Sequence, residues 1–176
     1  PVNRNILFTE FKIKDAPFVL VTFHPETIAI KKNNEFSIAM KEALEYLSLS
    51  INIVVTMPNA DTLGSVFRHQ LLKLKNSNPS KIFLVENFGK ENYFSAMFYS
   101  KFLIGNTSSG IIEAASFGKH VLNVGDRQKG RSQSKNTFNA IFVKSSIVEN
   151  ALAILNLGNY EGENIYFKKD SSKQLI

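Results

Sequence analysis

The chain has 176 residues, of which 44% are hydrophobic and 20% charged, and this is enough for one domain with its own core. It has no cysteine, so disulfides, a thiolate nucleophile and cysteine-ligated zinc are excluded, and no apolar run approaches the roughly 18 to 20 residues of a membrane helix. The net charge of +6 comes from scattered lysines and a basic tail with Lys168, Lys169 and Lys173. This distribution indicates a solvated surface that mildly attracts anionic ligands. We therefore expect no nucleic-acid or membrane partner, and a cytoplasmic location.

Strand-like and helix-like patterns alternate along the chain. Residues 1–16 are mixed and lack an amphipathic period, so we expect a linker or the end of a preceding segment. Apolar runs then alternate with segments whose apolar residues recur at helical spacing. The predicted strands are 17–23, 51–56, 81–86, 101–104, 120–124 and 139–143. The predicted helices include 36–47, 63–74, 93–98, 111–115 and 145–155. This alternation predicts an α/β domain over 17–176, with a Rossmann-like parallel sheet and helices on both faces.

The most informative stretch is 101–131, which reads as strand, tight turn, helix and strand. Three hydroxyl residues, 107–109, follow the first of these strands and precede the helix. Ligands bind at the carboxyl edge of open α/β sheets, where a hydroxyl-rich turn at a helix start offers N–H and O–H donors to a phosphate. Ordinary helix capping explains the turn about equally well. Glu113 in an apolar helix and Arg127 after the next strand favour a ligand: phosphate on the turn beside Arg127, with sugar hydroxyls on Glu113.

His24 ends the first predicted strand, so it belongs to the same edge of the sheet. A lone histidine is more often structural or exposed, but its position and the rigid Pro25 behind it favour a functional role. Near a diphosphate its imidazole could donate a hydrogen bond or take part in proton transfer.

Three further positions follow the second and third strands. Asn59 is a candidate ligand contact, whereas Asp61 or Thr62 is expected to cap the next helix. Phe88 and Tyr93 could stack on a base, with core packing as the alternative for each.

Other chemical signatures are missing from the sequence. The three histidines lack metal-ligand spacing, and there is no P-loop, dinucleotide-binding glycine motif or nucleophile elbow. Ser108 and Ser109 have no evident base partner, so no catalytic triad is predicted. We expect neither a metal nor a cofactor.

Three motifs carry a family resemblance: TFHPET (22–27), MPNAD (57–61) and IGNTSSGIIEAASFGKHVLNVGDRQKGR (104–131). Together they resemble the hydrolysing UDP-N-acetylglucosamine 2-epimerases of sialic acid biosynthesis, which release UDP and N-acetylmannosamine. The non-hydrolysing epimerases usually carry an Asp-Ser-Gly-Gly type of turn instead. Thr107 stands where Ser is commoner in the family, but the hydroxyl is kept.

The resemblance implies the C-terminal half of a two-domain, glycosyltransferase-B-like fold, with UDP held in the interdomain cleft. It assigns His24 to the diphosphate and to catalysis. The residues that it implies for UDP binding are Asn59, Phe88, Tyr93, Thr107, Ser108, Glu113 and Arg127. The family's N-terminal domain, which supplies acidic groups for proton abstraction at C2, is the expected partner and is missing from this chain. We therefore expect this chain alone to be inactive. Family members often associate, so a homo-oligomer is an expectation for the complete enzyme.

The implied mechanism is anti-elimination of UDP across C1–C2, followed by addition of water with inversion at C2. Three alternatives remain open at this point. The enzyme could act on a UDP-2,4-diacetamido sugar, the chain could belong to a UDP-sugar glycosyltransferase, or it could be a nucleotide-sugar-binding module without chemistry.

Overall fold

The computed structural model describes residues 1–61 and 63–167, so Thr62 and the three tail lysines named above lie outside the described residues. Within this part of the chain, six parallel strands form one sheet in the order β3-β2-β1-β4-β5-β6. The strands are β1 (Phe18–Thr22), β2 (Asn52–Thr56), β3 (Ile82–Val85), β4 (Leu103–Gly105), β5 (Val121–Val124) and β6 (Thr137–Ala140). The strand order reverses between β1 and β4, and their carboxyl ends therefore flank the crevice where such sheets bind ligands.

Helices cover both faces of this sheet, as the sequence predicts. They are α1 (Arg4–Glu10), α2 (Asn33–Leu47), α3 (Gly64–Ser77), α4 (Gly89–Tyr99), α5 (Ser108–Ile112) and α6 (Lys144–Leu155). One apolar cluster joins α2, α3 and α6 to the sheet, and a second joins α1 and α4 to the opposite face. The apolar spacing of α2 explains its orientation, because Met40, Ala43, Leu44 and Leu47 recur at helical intervals and all are buried.

The first sixteen residues contain a helix that their sequence pattern did not predict. Leu7 and Phe8 of α1 are buried, and the Phe8 ring lies 5.7 Å from that of Phe18 on β1. The Tyr99 hydroxyl of α4 also donates to the carbonyl of Val2, at 2.9 Å. The segment therefore packs on the domain rather than running free as a linker, although its place in the domain organisation of a longer protein stays a prediction.

The last strand lies earlier than predicted. The apolar run 139–143 was expected to form it, but β6 ends at Ala140, and Ile141 beyond it is 65% exposed. Phe138 and Ala140 face the core, and their alternation with polar neighbours fits a strand at the edge of the sheet. The following apolar residues lead into α6 instead. None of the described helices is long and apolar enough to cross a membrane.

Gly105 is a position where the sheet leaves no room for a side chain. A Cβ atom there would lie 1.9 Å from the backbone oxygen of Thr22 on the neighbouring strand. We expect Gly105→Ala to lower the free energy of unfolding by about 3 kcal/mol, because the backbone of β1 or β4 has to shift. Urea denaturation measures this change.

Gly158→Ala is the matched control, since a Cβ atom at Gly158 has no neighbouring atom within 4 Å. Equal stability of the two variants would contradict the close approach of β1 and β4.

Candidate functional site

Asn106 joins the carboxyl ends of β1 and β4. Its side-chain Oδ1 accepts the backbone N–H of His24 at 2.8 Å, and its Nδ2 donates to the backbone oxygen of His24, also at 2.8 Å. The amide group therefore pairs with His24 much as a neighbouring strand residue would. Asn106 is 0% exposed, so these bonds form away from water.

The loop after β5 reaches the same point. The backbone oxygen of Asn106 accepts hydrogen bonds from Arg127 Nη1 at 3.3 Å and from Gln128 Nε2 at 3.0 Å. Three strand ends thus converge on one residue, and they bring His24 and Arg127 to the edge that also carries Thr107. This is the grouping that the sequence predicts for these three positions.

His24 is half-buried in this crevice. Burial lowers the pKa of its imidazole below the ordinary value of 6.5, and the nearby positive charge of Arg127 lowers it further. The carboxylate of Asp61 opposes both effects. His24 is accordingly a neutral imidazole near pH 7, with one N–H donor and one acceptor nitrogen.

Glu26 is a site residue that the sequence analysis did not single out. It is 4% exposed, and its Oε1 accepts the backbone N–H of Arg127 at 3.2 Å. Asn33 on α2 fixes the Glu26 backbone with two hydrogen bonds, of 2.8 and 3.0 Å. Burial raises the pKa of the Glu26 carboxyl, and the hydrogen bonds that it accepts work in the opposite direction. The sequence feature that could have pointed to Glu26 is its position two residues after His24, at the end of a strand.

The hydroxyl turn is both a helix cap and a cluster of donors. Thr107 is the N-cap of α5, and its Oγ1 accepts the N–H of Gly110 at 3.2 Å. Ser109 lies 3.0 Å from Thr107 and 2.9 Å from the hydroxyl of Tyr93, oxygen to oxygen. Ser108 is exposed. Capping, the alternative held open from the sequence, is therefore present, and it leaves hydroxyl groups on the surface of the crevice.

Glu113 directly follows α5, where the helix gives way to a 3-10 turn at Ala114–Phe117. Burial raises the pKa of its carboxyl group. Its Oε2 is buried and has no hydrogen-bond partner among the described residues. A buried carboxylate oxygen without a partner is costly, and a donor from a ligand would relieve this cost.

The remaining predicted residues differ in their surroundings. Asn59 is exposed after β2. The N-cap position of α3 is Leu63 and not Asp61 or Thr62, but Asp61 Oδ1 still accepts the N–H of Gly64, the first residue of the helix, at 2.7 Å. Phe88 is 3% exposed, and its ring centroid lies 4.6 Å from that of Phe11. Its burial makes it a core residue here, which was the alternative to base stacking.

An open cleft lies beside the Arg127 loop. Its volume is about 1080 Å³, and Glu26, Arg127, Lys129 and Asn123 contribute to its polar walls, with Phe142 on the apolar side. This is large enough for a sugar nucleotide or part of one. The described residues contain no group of three or more acidic or histidine side chains that could hold a metal ion.

A family model described as UDP-N-acetylglucosamine 2-epimerase matches residues 2–176. The chain belongs to this epimerase family. A curated relative from Campylobacter jejuni, named GDP/UDP-N,N'-diacetylbacillosamine 2-epimerase (hydrolyzing), is 33% identical over 136 residues, covering 77% of this chain and 35% of its own length. The polysialic acid biosynthesis protein P7 of Escherichia coli is 26% identical over 162 residues, covering 88% of this chain and 40% of its own length. This epimerase-family chain thus spans well under half the length of these relatives.

Solved structures support the same fold. The UDP-N-acetylglucosamine 2-epimerase of Neisseria meningitidis, described as bound to UDP-N-acetylglucosamine, matches with a TM-score of 0.69 at 15% identity. The match covers 93% of this chain and 45% of the Neisseria chain. The fold of this chain therefore corresponds to one part of a glycosyltransferase-B-like epimerase.

Arg127→Ala tests the electrostatic contact in the crevice. We expect it to raise the pKa of His24 but to leave it below 6.5, because burial is the larger cause of the shift. An NMR titration of the His24 ring measures this. The lowered pKa also means that His24 binds a proton less readily in the folded chain than in the unfolded chain. The free energy of unfolding should therefore decrease as the pH falls below 6.5. Arg127→Ala should reduce this loss.

Lys129→Ala is the control, because Lys129 is an exposed cation of the same loop that is not among the causes of the His24 shift. A His24 pKa that does not respond to Arg127→Ala would contradict the contact.

Proposed function

We propose that this chain is the UDP-binding half of a hydrolysing UDP-N-acetylglucosamine 2-epimerase, which gives UDP and N-acetylmannosamine for sialic acid biosynthesis. The observation that carries the proposal is the convergence on Asn106, which brings His24, the hydroxyl turn and Arg127 to one crevice at the switch point of the sheet. The names of the curated relatives support a hydrolysing reaction and a role in polysialic acid synthesis.

In this proposal, each part of UDP meets groups of matching chemistry. The diphosphate lies over Thr107 and Ser108, with the guanidinium of Arg127 beside it. The ribose hydroxyls donate to Glu113, whose Oε2 has no partner among the described side chains. Tyr93 and the exposed Asn59 lie on the nucleotide side of the site. Phe88 is left out because it is packed in the core.

The chemistry then divides between two halves of the enzyme. A base in the other half removes the proton from C2 while the C1–O bond breaks, and the electron pair leaves with UDP. Water adds to the resulting unsaturated sugar, with inversion at C2. Charge develops on the β-phosphate as the bond breaks, so donors that are already oriented toward it stabilise the transition state. Since the base lies elsewhere, we expect no epimerase activity from this chain alone.

A UDP-2,4-diacetamido sugar is a second candidate substrate, because the relative from Campylobacter jejuni is named for N,N'-diacetylbacillosamine. Both candidates share UDP and the elimination, and the second carries an additional acetamido group at C4 of the sugar. Supplying each sugar nucleotide to the complete enzyme and identifying the released sugar decides between them.

Glu113→Ala should weaken UDP binding while leaving pyrophosphate binding nearly unchanged, because only UDP has ribose hydroxyls to donate to the carboxylate. Hydrogen bonds to a charged group typically contribute about 1.5 to 3 kcal/mol, so we expect a loss of roughly tenfold or more for UDP. Isothermal titration calorimetry with both ligands measures the difference.

Glu149→Ala is the control, since Glu149 is an exposed glutamate on α6. Equal losses for UDP and pyrophosphate would make Glu113 a structural residue. No binding of UDP at millimolar concentration would remove the assignment of the site.

His24→Ala should lower the turnover of the complete enzyme more than it weakens UDP binding. A donor aimed at the departing diphosphate strengthens as charge builds, so its loss falls mainly on the transition state, and one such donor is typically worth about 10² to 10³ in rate. Steady-state kinetics of His24→Ala measures this effect, with His69→Ala, an exposed histidine of α3, as the control. A raised KM with unchanged kcat would show that His24 only holds the substrate.

A further inference from the structure

A chain of three hydroxyl groups runs from α4 to the hydroxyl turn. The phenol oxygen of Tyr93 lies 2.9 Å from Ser109 Oγ, which lies 3.0 Å from Thr107 Oγ1. Thr107 Oγ1 also accepts the N–H of Gly110 at 3.2 Å. All three hydroxyl residues are half-buried, and Tyr93 and Thr107 line a cavity of only about 10 Å³ below the turn. The packing around the three side chains therefore holds their hydroxyl groups in place.

The chemistry of the three groups favours one direction for their protons. A phenol is a stronger acid than an aliphatic alcohol, so Tyr93 is the better donor and the poorer acceptor of the three. When Tyr93 donates to Ser109, Ser109 donates in turn to Thr107. Thr107 Oγ1 then accepts two hydrogen bonds, from Ser109 and from Gly110. With both of its lone pairs in use, the hydroxyl proton of Thr107 is not taken up by Ser109 or Gly110 and is available to a further acceptor.

We propose that Tyr93 is a positioning residue that, through Ser109, turns the hydroxyl proton of Thr107 toward the diphosphate. The inference rests on the proposed function and adds to it the way in which the phosphate-binding turn is oriented. A diphosphate offers only acceptors to such a turn, so it selects the direction in which Thr107 donates outward. In the opposite direction, Thr107 would donate its hydroxyl proton to Ser109 and would present a lone pair to a negatively charged ligand.

This role differs from that of an aromatic side chain that stacks on the base. Stacking uses the ring, which Tyr93→Phe keeps, whereas positioning uses the hydroxyl, which Tyr93→Phe removes. It also differs from the role of Glu113, which acts on the ribose and not on the phosphates. The two residues should therefore discriminate differently between UDP and pyrophosphate.

The experiment compares Tyr93→Phe with wild type for binding of UDP and of pyrophosphate to the 176-residue chain, by calorimetry. We expect both ligands to bind about three- to tenfold more weakly, which corresponds to one net hydrogen bond. Tyr99→Phe is the matched control, since Tyr99 is also on α4 but its hydroxyl donates to the carbonyl of Val2, away from the crevice. It should leave both affinities unchanged. Thermal unfolding of each variant checks that the fold is retained.

Ser109→Ala and the double variant complete the test. If Tyr93 acts through Ser109, Tyr93→Phe should cause no further loss of UDP binding in the Ser109→Ala background. Additive losses overturn the inference, as does a loss for UDP without one for pyrophosphate, or unchanged UDP binding in Tyr93→Phe. If the wild-type chain itself does not bind UDP, the proposed function fails together with the inference. Wild-type binding with an unaffected Tyr93→Phe variant removes the inference alone.

Discussion

The crevice depends on the hydrogen bonds of one buried amide side chain, that of Asn106. The side chain of Asn106 pairs with both the backbone N–H and the backbone oxygen of His24. The backbone of Asn106 is paired as well, because its oxygen accepts from the side chains of Arg127 and Gln128 and its N–H donates to the backbone oxygen of Thr22 at 3.3 Å. A buried polar group that loses its partner costs about 1 to 3 kcal/mol, so removing this side chain would leave the His24 backbone unpaired at the sheet edge. Asn106 thus connects the strand ends with His24 and Arg127, and each of its polar atoms has a hydrogen-bond partner.

The loop that carries Arg127 has a second anchor in Glu26. Its carboxylate accepts the backbone N–H of Arg127, and this leaves the guanidinium free to reach Asn106 and a ligand. Gly125 precedes this contact with a φ of +82°, and a Cβ atom there would lie 2.7 Å from Glu26 Oε1. Glycine therefore allows both the turn of the backbone and the close approach of the carboxylate. A buried carboxyl group holds the backbone of the loop, while the side chain of Arg127 stays at the surface.

The sequence could predict the parts of this architecture that follow from local patterns. Five of the six described strands lie where apolar runs predicted them, and Thr107, His24 and Arg127 meet because parallel strands end at one edge. Helix α1 was missed because Leu7 and Phe8 are adjacent and show no helical repeat, and their burial depends on α4 and β1. Asn106 and Glu26 were missed for a related reason: their partners, His24 and Arg127, lie 82 and 101 residues away along the chain. The local spacing of residues cannot predict contacts between residues so far apart in the sequence.

The shortness of α5 decides which groups can act on an anion. A helix of five residues has few aligned peptide dipoles, so its N-terminus adds little charge to the turn. The side-chain donors described at this edge of the sheet include the hydroxyl groups of the turn, the imidazole of His24 and the guanidinium of Arg127. In the proposed elimination the diphosphate gains negative charge as it departs, and every one of these donors then binds it more strongly than it binds the substrate. A site whose donors, the neutral ones and the Arg127 guanidinium alike, are oriented before the reaction thus favours the transition state over the ground state, which is what the proposed reaction requires.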